Sequence, residues 1–154
     1  MEFIGTLRLD GKVDITDPCY DKGTWCRMTT ECKAGEYYGY AEVADCGEWG
    51  QRVKSISIYK DDVKCSLGYM VHIGSIGVDA GLAGFFNDKP DFSDDEWYKF
   101  LNKYVDFEEK TYSCDYGVFS ESGYGDGGYE VFANVERTAF TIIFIDDEEE
   151  DIDL

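Results

Sequence analysis

Apolar residues alternate with polar ones along most of the chain, and only one stretch repeats every three to four residues. FIGTLRL alternates, stops at Asp10-Gly11-Lys12 and resumes in VDIT, which predicts a hairpin over residues 3–16. Asp17 to Cys26 reads as a loop, because Pro18 lacks an amide proton and biases Asp17 away from helix. EYYGYAEVA (36–44) alternates as a strand, and Asp45 to Gly50 breaks it. QRVKSISIYK (51–60) places Val53, Ser55, Ser57 and Tyr59 on one face and Ile56 and Ile58 on the other. Apolar residues on both faces predict a central strand.

Tyr69 to Phe86 is apolar, β-branched and punctuated by glycine. It predicts two short strands around Gly74 and Gly77, then a turn at Asp79-Ala80-Gly81. Ser93-Asp94-Asp95-Glu96 has the form of a capping box, and Trp97, Leu101, Tyr104 and Val105 follow on one stripe, so a helix is predicted near 93–107. TYSCDYGVFSES reads as strand, GYGDGG as a hairpin turn, and YEVFANV and TAFTIIFI as strands. Eight or nine short strands and one inserted helix define a β-rich α+β fold: antiparallel sheet in a sandwich or half-barrel. Residues 1–145 form one domain, and 146–154 form an acidic C-terminal tail.

Composition changes this picture in two ways. The 154 residues carry a formal charge of −19, and −12 remains when the seven acidic residues of the tail are set aside. Such a surface repels nucleic acid and anionic membranes and attracts basic protein surfaces. Twelve tyrosines, ten phenylalanines and three tryptophans exceed what a small core takes, which predicts aromatic side chains at the surface. The six cysteines contain no CxxC pair, and a single histidine does not complete a zinc set. Met1-Glu2-Phe3 shows no secretory n-region and no apolar run spans a bilayer, so a cytoplasmic location with reduced thiols is expected.

Three kinds of chemistry can be drawn from the residues. Cys19, His72 and Asp79 form a nominal triad, although His72 lies within an apolar strand. Asp17, Asp21, Asp79, Glu121 and Asp126 could hold a hard cation if their loops converge, but they lack EF-hand spacing. GYGDGG has the composition of a phosphate loop, yet a strand follows it where a phosphate cradle needs a helix.

Five segments occur in order: ITDPCY (15–20), GTWC (23–26), EWGQRV (48–53), IGVDAG (76–81) and SGYGDGGY (122–129). Together they resemble a family of small, mostly uncharacterised bacterial and phage proteins that carry DPCY, GVDSG and SGYGDG(S/G)Y motifs. Position 80 is Ala where that family usually has Ser. The resemblance implies a phage or mobile-element setting and transfers no catalytic residue.

The resulting expectation is a non-enzymatic acidic binding protein of phage type that inhibits a host defence protein, as an anti-CRISPR protein does. Its partner would be a basic surface of a host protein such as a nuclease, with no direct contact to nucleic acid or membrane. The expected binding residues are Asp17, Tyr20, Trp49, Asp79, Tyr124, Asp126 and Tyr129, with the tail and the acidic Glu48, Asp61, Asp62, Asp94 and Asp95. No catalytic residue, metal or cofactor is assigned. The alternatives are a nucleotide-signal sponge, with Arg27, Arg52 or Arg137 as its cation, and a metal- or cysteine-dependent hydrolase.

Overall fold

The computed structural model describes residues 1–146. The tail residues 147–154, which carry most of the expected acidic tail, lie outside the described residues. Among the described residues, eleven strands and one α-helix make a β-rich α+β sandwich of two antiparallel sheets. The strands are β1 (Glu2–Leu9), β2 (Lys12–Thr16), β3 (Met28–Glu31), β4 (Gly35–Asp45), β5 (Gln51–Lys60) and β6 (Met70–Val78). They continue with β7 (Leu82–Phe86), β8 (Thr111–Cys114), β9 (Gly117–Glu121), β10 (Gly127–Asn134) and β11 (Ala139–Ile143). The helix α1 (Asp94–Tyr104) lies between β7 and β8 in the chain. The first sheet has the order β1-β4-β5-β11-β10-β6 and the second β3-β2-β7-β9-β8.

The main core lies between the sheets, built from residues such as Ile15, Tyr37, Ile56, Phe85, Val118, Phe140 and Ile142. A second cluster fills the space between the outer face of the second sheet and α1, with Phe86, Phe119 and Tyr112 below and Phe100 above. Ser93 caps the helix with both bonds of the capping box in place. The helix ends at Tyr104, three residues short of the expected end. Its one fully buried side chain is Phe100, which belongs on the stripe between Trp97 and Tyr104 and stacks on Trp97 with ring centroids 5.7 Å apart. No helix among the described residues is long and apolar enough to cross a membrane.

Three expectations need correction. Residues 3–16 are not a hairpin: β1 pairs with β4, whereas β2 pairs with β3 and β7 in the other sheet. Likewise GYGDGG does not join a hairpin, because β9 pairs within the second sheet and β10 within the first. Both segments are corners at which the chain changes sheets, as is Asp79-Ala80-Gly81 between β6 and β7. A corner and a hairpin place the same demand on the backbone: Gly81 and Gly123 sit at φ +70° and +60°, where a side chain is strained.

The third correction concerns register. Met70–Val78 is one strand rather than two, with a bulge where Val131 faces Gly74 and Phe132 faces His72, so that Ile73 is the extra residue. A similar bulge in β5 leaves Lys54 unpaired with β4, because Glu42 faces Ser55 and Val43 faces Val53. The bulge turns Val53 onto the same core as Ile56 and Ile58, and it breaks the expected alternation with Ser55, Ser57 and Tyr59. As expected, β5 is an interior strand.

Gly84 in β7 pairs with Thr16 on one side and Phe119 on the other. A Cβ there would stand 2.1 Å from the Val118 carbonyl oxygen and 2.5 Å from Phe119 Cα, both on the neighbouring backbone. Gly84→Ala is therefore expected to cost at least about 2 kcal/mol in urea unfolding. Gly68→Ala, whose Cβ would meet nothing nearer than Ser66 Oγ at 3.8 Å, should stay within about 0.5 kcal/mol. Equal midpoints for the two variants would contradict the packing described.

Candidate binding groove at the crossover loops

Asp17 organises this end of the sandwich. Pro18 sets a turn in which the Tyr20 amide donates to the Asp17 carbonyl at 3.1 Å, while the Cys19 amide donates to Asp17 Oδ1 at 3.0 Å. The other carboxylate oxygen, Oδ2, accepts the amides of Asp79 at 2.9 Å and Ala80 at 2.6 Å. Asp17 is fully buried. Burial pushes its carboxyl above the ordinary value, and the amides of Cys19, Ala80 and Asp79 pull in the opposite direction. The Asp17 and Asp79 loops are thus joined, with the buried Asp17 as a fastener rather than a ligand group.

The third loop is attached to the second. The Ser122 amide donates to the Gly81 carbonyl at 3.1 Å, and Ser122 Oγ donates to the Gly125 carbonyl at 2.8 Å. Tyr129 closes the corner, its hydroxyl directed at the carbonyls of Ser122 (3.0 Å) and Gly125 (2.5 Å) while its ring meets Phe144 edge-on. Tyr129 is therefore structural as well. Asp126 is exposed, with its carboxylate beside Gly81. Tyr20 is half-buried against Cys26, beside Gly77.

A groove of about 310 Å³ opens between this corner and α1. Leu82, Trp97, Leu101 and Val105 give it an apolar wall, Gly123 to Gly125 form the opposite rim, and Phe107 stands at its edge, 92% exposed. Arg52, the second residue of β5, completes the mouth. Its Nε donates to the Trp49 carbonyl at 2.9 Å, and its guanidinium lies 5.7 Å from the centre of the Tyr124 ring. Trp49 meets Tyr124 edge-on, with 6.4 Å between centroids, and both are more than half exposed. The excess of aromatic residues in the composition signals such exposure. Nothing in the local pattern marks Phe107 or the helix stripe as one wall of a groove.

The structure brings Asp17, Tyr20, Asp79, Asp126 and Tyr129 to this end of the fold, with Trp49 and Tyr124 at the groove. It does not gather the expected acidic set. Glu48 and the pair Asp61 and Asp62 lie beyond opposite ends of the ten-residue β5, about 33 Å of strand apart. Asp61 pairs with Lys60, and Asp62 accepts the Tyr40 hydroxyl and faces Lys64. Asp94 and Asp95 sit in the first turn of α1, where a negative charge complements the helix dipole.

The drawn triad is not assembled. The His72 imidazole, exposed on β6, engages the Glu130 carboxylate on β10. Burial, then the nearby Asp17 and Asp79 carboxylates, raise the Cys19 thiol well above its ordinary range, the reverse of what a nucleophile needs. Among the described residues no group of three or more His, Cys, Asp or Glu side chains is placed to hold a metal ion. Both Asp17 oxygens are occupied by backbone amides, and Asp21 accepts the Phe92 amide.

The three candidate arginines separate clearly. Arg27 is buried and donates to Asp14 Oδ2 at 2.8 Å and to the Tyr20 carbonyl at 3.0 Å. Arg137 donates to Thr30 Oγ1 at 3.1 Å and lies beyond the end of β10 opposite the groove loop. Only Arg52 among the three lines the groove. Asp14 also accepts the Lys89 amide and the Thr29 hydroxyl, so one buried carboxylate serves three donors from three parts of the chain. No family model matches the chain, and comparisons with curated proteins and with solved structures found no match.

Asp17→Asn puts an NH2 group where the carboxylate met backbone donors. It is expected to cost about 2–4 kcal/mol of stability, measured by urea unfolding; a loss below the scatter of surface variants would show that the fastener is dispensable. Lys89 supplies a pH test. Burial, then the Arg27 charge, lower its ammonium to about 8 in the fold. Between that value and the ordinary lysine range the unfolded chain binds the extra proton, so stability should rise with pH across this window. The stability of the native protein relative to Lys89→Met should therefore move in favour of the native protein from pH 7 to pH 10. A constant difference would mean that Lys89 titrates normally.

Proposed function

We propose that this is a non-enzymatic binding protein that docks a partner protein on the groove between α1 and the crossover loops. One observation carries this reading: Tyr124 and Phe107 line one groove and Trp49 packs on Tyr124 beside it, all three more than half exposed, on a chain of charge −19. Exposed aromatics around a groove are the usual anchors of a protein interface. The charge favours a partner with a basic face, which it would steer electrostatically. The motif resemblance supports a phage setting, in which a host defence protein with a nucleic-acid channel, such as a nuclease, fits that description. In this reading the dispersed acidic residues attract the partner and the aromatic groove holds it.

A second reading, a small-molecule module, is favoured by Arg52 at the groove mouth. A polyphosphate would meet Glu121 in the same groove and no second lining cation, so a nucleotide is the weaker ligand for this site.

The docking reading is tested by binding the purified protein to a panel of host defence nucleases at about 50 and 300 mM salt. Affinity for the true partner should fall at least about tenfold in Trp49→Ala/Tyr124→Ala and should weaken with salt. Binding to no member of the panel, or binding indifferent to both changes, would overturn it.

A further inference from the structure

Arg52 is the one lysine or arginine among the described residues that lines the groove. Lys22, Arg27, Lys54, Lys60 and Lys64 each have a carboxylate within ion-pair distance. Among the described residues none lies within that distance of Arg52, nor of the eight remaining lysines and arginines. The side chain is nevertheless fixed, at Nε by the Trp49 carbonyl and on its face by the Tyr124 ring. This leaves the Nη edge, which makes no hydrogen bond among the described residues, on a half-buried side chain at the mouth of the groove. A guanidinium held by its Nε and its face has little rotamer freedom left to lose when its fork meets a carboxylate.

We propose that Arg52 is the specificity determinant of the groove and takes a single carboxylate attached to an aromatic or apolar group: an acidic anchor residue beside an apolar one in the partner's docking segment. This rests on the docking reading and adds the chemistry of the anchor. Three observations set the class. The wall of Leu82, Trp97, Leu101 and Val105 requires an apolar body. One cation accompanied by Glu121 suits one negative charge and disfavours several. The volume of about 310 Å³ is at the lower end of the range of about 300–1,000 Å³ for ligand sites, room for one or two side chains rather than a domain. A basic partner would approach through the overall field and be aligned by its one carboxylate, since any other placement leaves Arg52 unpaired or sets a carboxylate against the acidic surround.

Indole-3-acetate and indole-3-acetamide are the probes, with the same ring and a carboxylate or a neutral amide. In NMR titrations indole-3-acetate should saturably shift the Arg52 Nε–Hε signal and the amides of Ser122 to Gly125. It should bind about tenfold more tightly than the acetamide. Arg52→Gln should bring the two to equal, weak binding, and the comparison on the native protein stands even if that variant does not fold. Equal affinities for native protein, shifts that map elsewhere, or a preference that survives Arg52→Gln would each overturn the assignment. If a nuclease partner still depends on Trp49 and Tyr124 while the two indoles bind alike, the docking reading survives and the carboxylate anchor falls.

Discussion

The arrangement of the loops depends on one buried carboxylate. Asp17 follows the last residue of β2, in the second sheet, and binds the corner by which the chain leaves the first sheet. Its burial would be costly without compensation, since an ion removed from water loses several kcal/mol. Three backbone amides supply that compensation, each a charge-assisted bond. The same corner then presents the Gly81 carbonyl to Ser122, and Ser122 with Tyr129 shapes the loop that carries Tyr124 to Arg52. Ala80 and Gly81 themselves line the groove, so one side of it is held directly by Asp17 and the Tyr124 rim through the contacts that follow.

Local periodicity was enough to place most elements. β4, β5, α1 and β11 arise from alternation, capping and β-branched runs that need no knowledge of partners. What it does not contain is which strand pairs with which. Gly11, Gly81 and Gly123 satisfy turns that look identical whether the next strand folds back in the same sheet or crosses to the other. The bulges at Lys54 and Ile73 were equally hidden, because each depends on the neighbouring strand having one residue fewer. Of the site, the aromatic loops and Arg52 were legible as candidates. The role of Asp17 as a fastener and the use of α1 as a wall follow only from tertiary contacts. The short β3 has no alternation of apolar residues to reveal it.

Charge works on two scales in this molecule. The sum of −19 acts at a distance and does not need its carboxylates to touch. Several are already engaged locally, Asp61 with Lys60, Asp62 with Tyr40, Asp14 with Arg27. In the proposed docking Arg52 acts at contact range, where one oriented guanidinium outweighs a diffuse field of opposite sign. The two scales separate attraction from alignment, and a surface of uniformly acidic character would supply only the first.

The order of strands in the first sheet also governs how the chain reaches its fold. The hairpin of β10 and β11 is inserted between β5 and β6, although those two strands are neighbours in the chain. A polypeptide emerging from the ribosome has β5 and β6 in hand long before it has the pair that separates them. Until residues 127–143 are made, β5 has an open edge and β6 has no partner in its sheet. Completion of the sandwich is thus a late event dominated by long-range closure, slow by nature and exposed to edge-to-edge association while it waits.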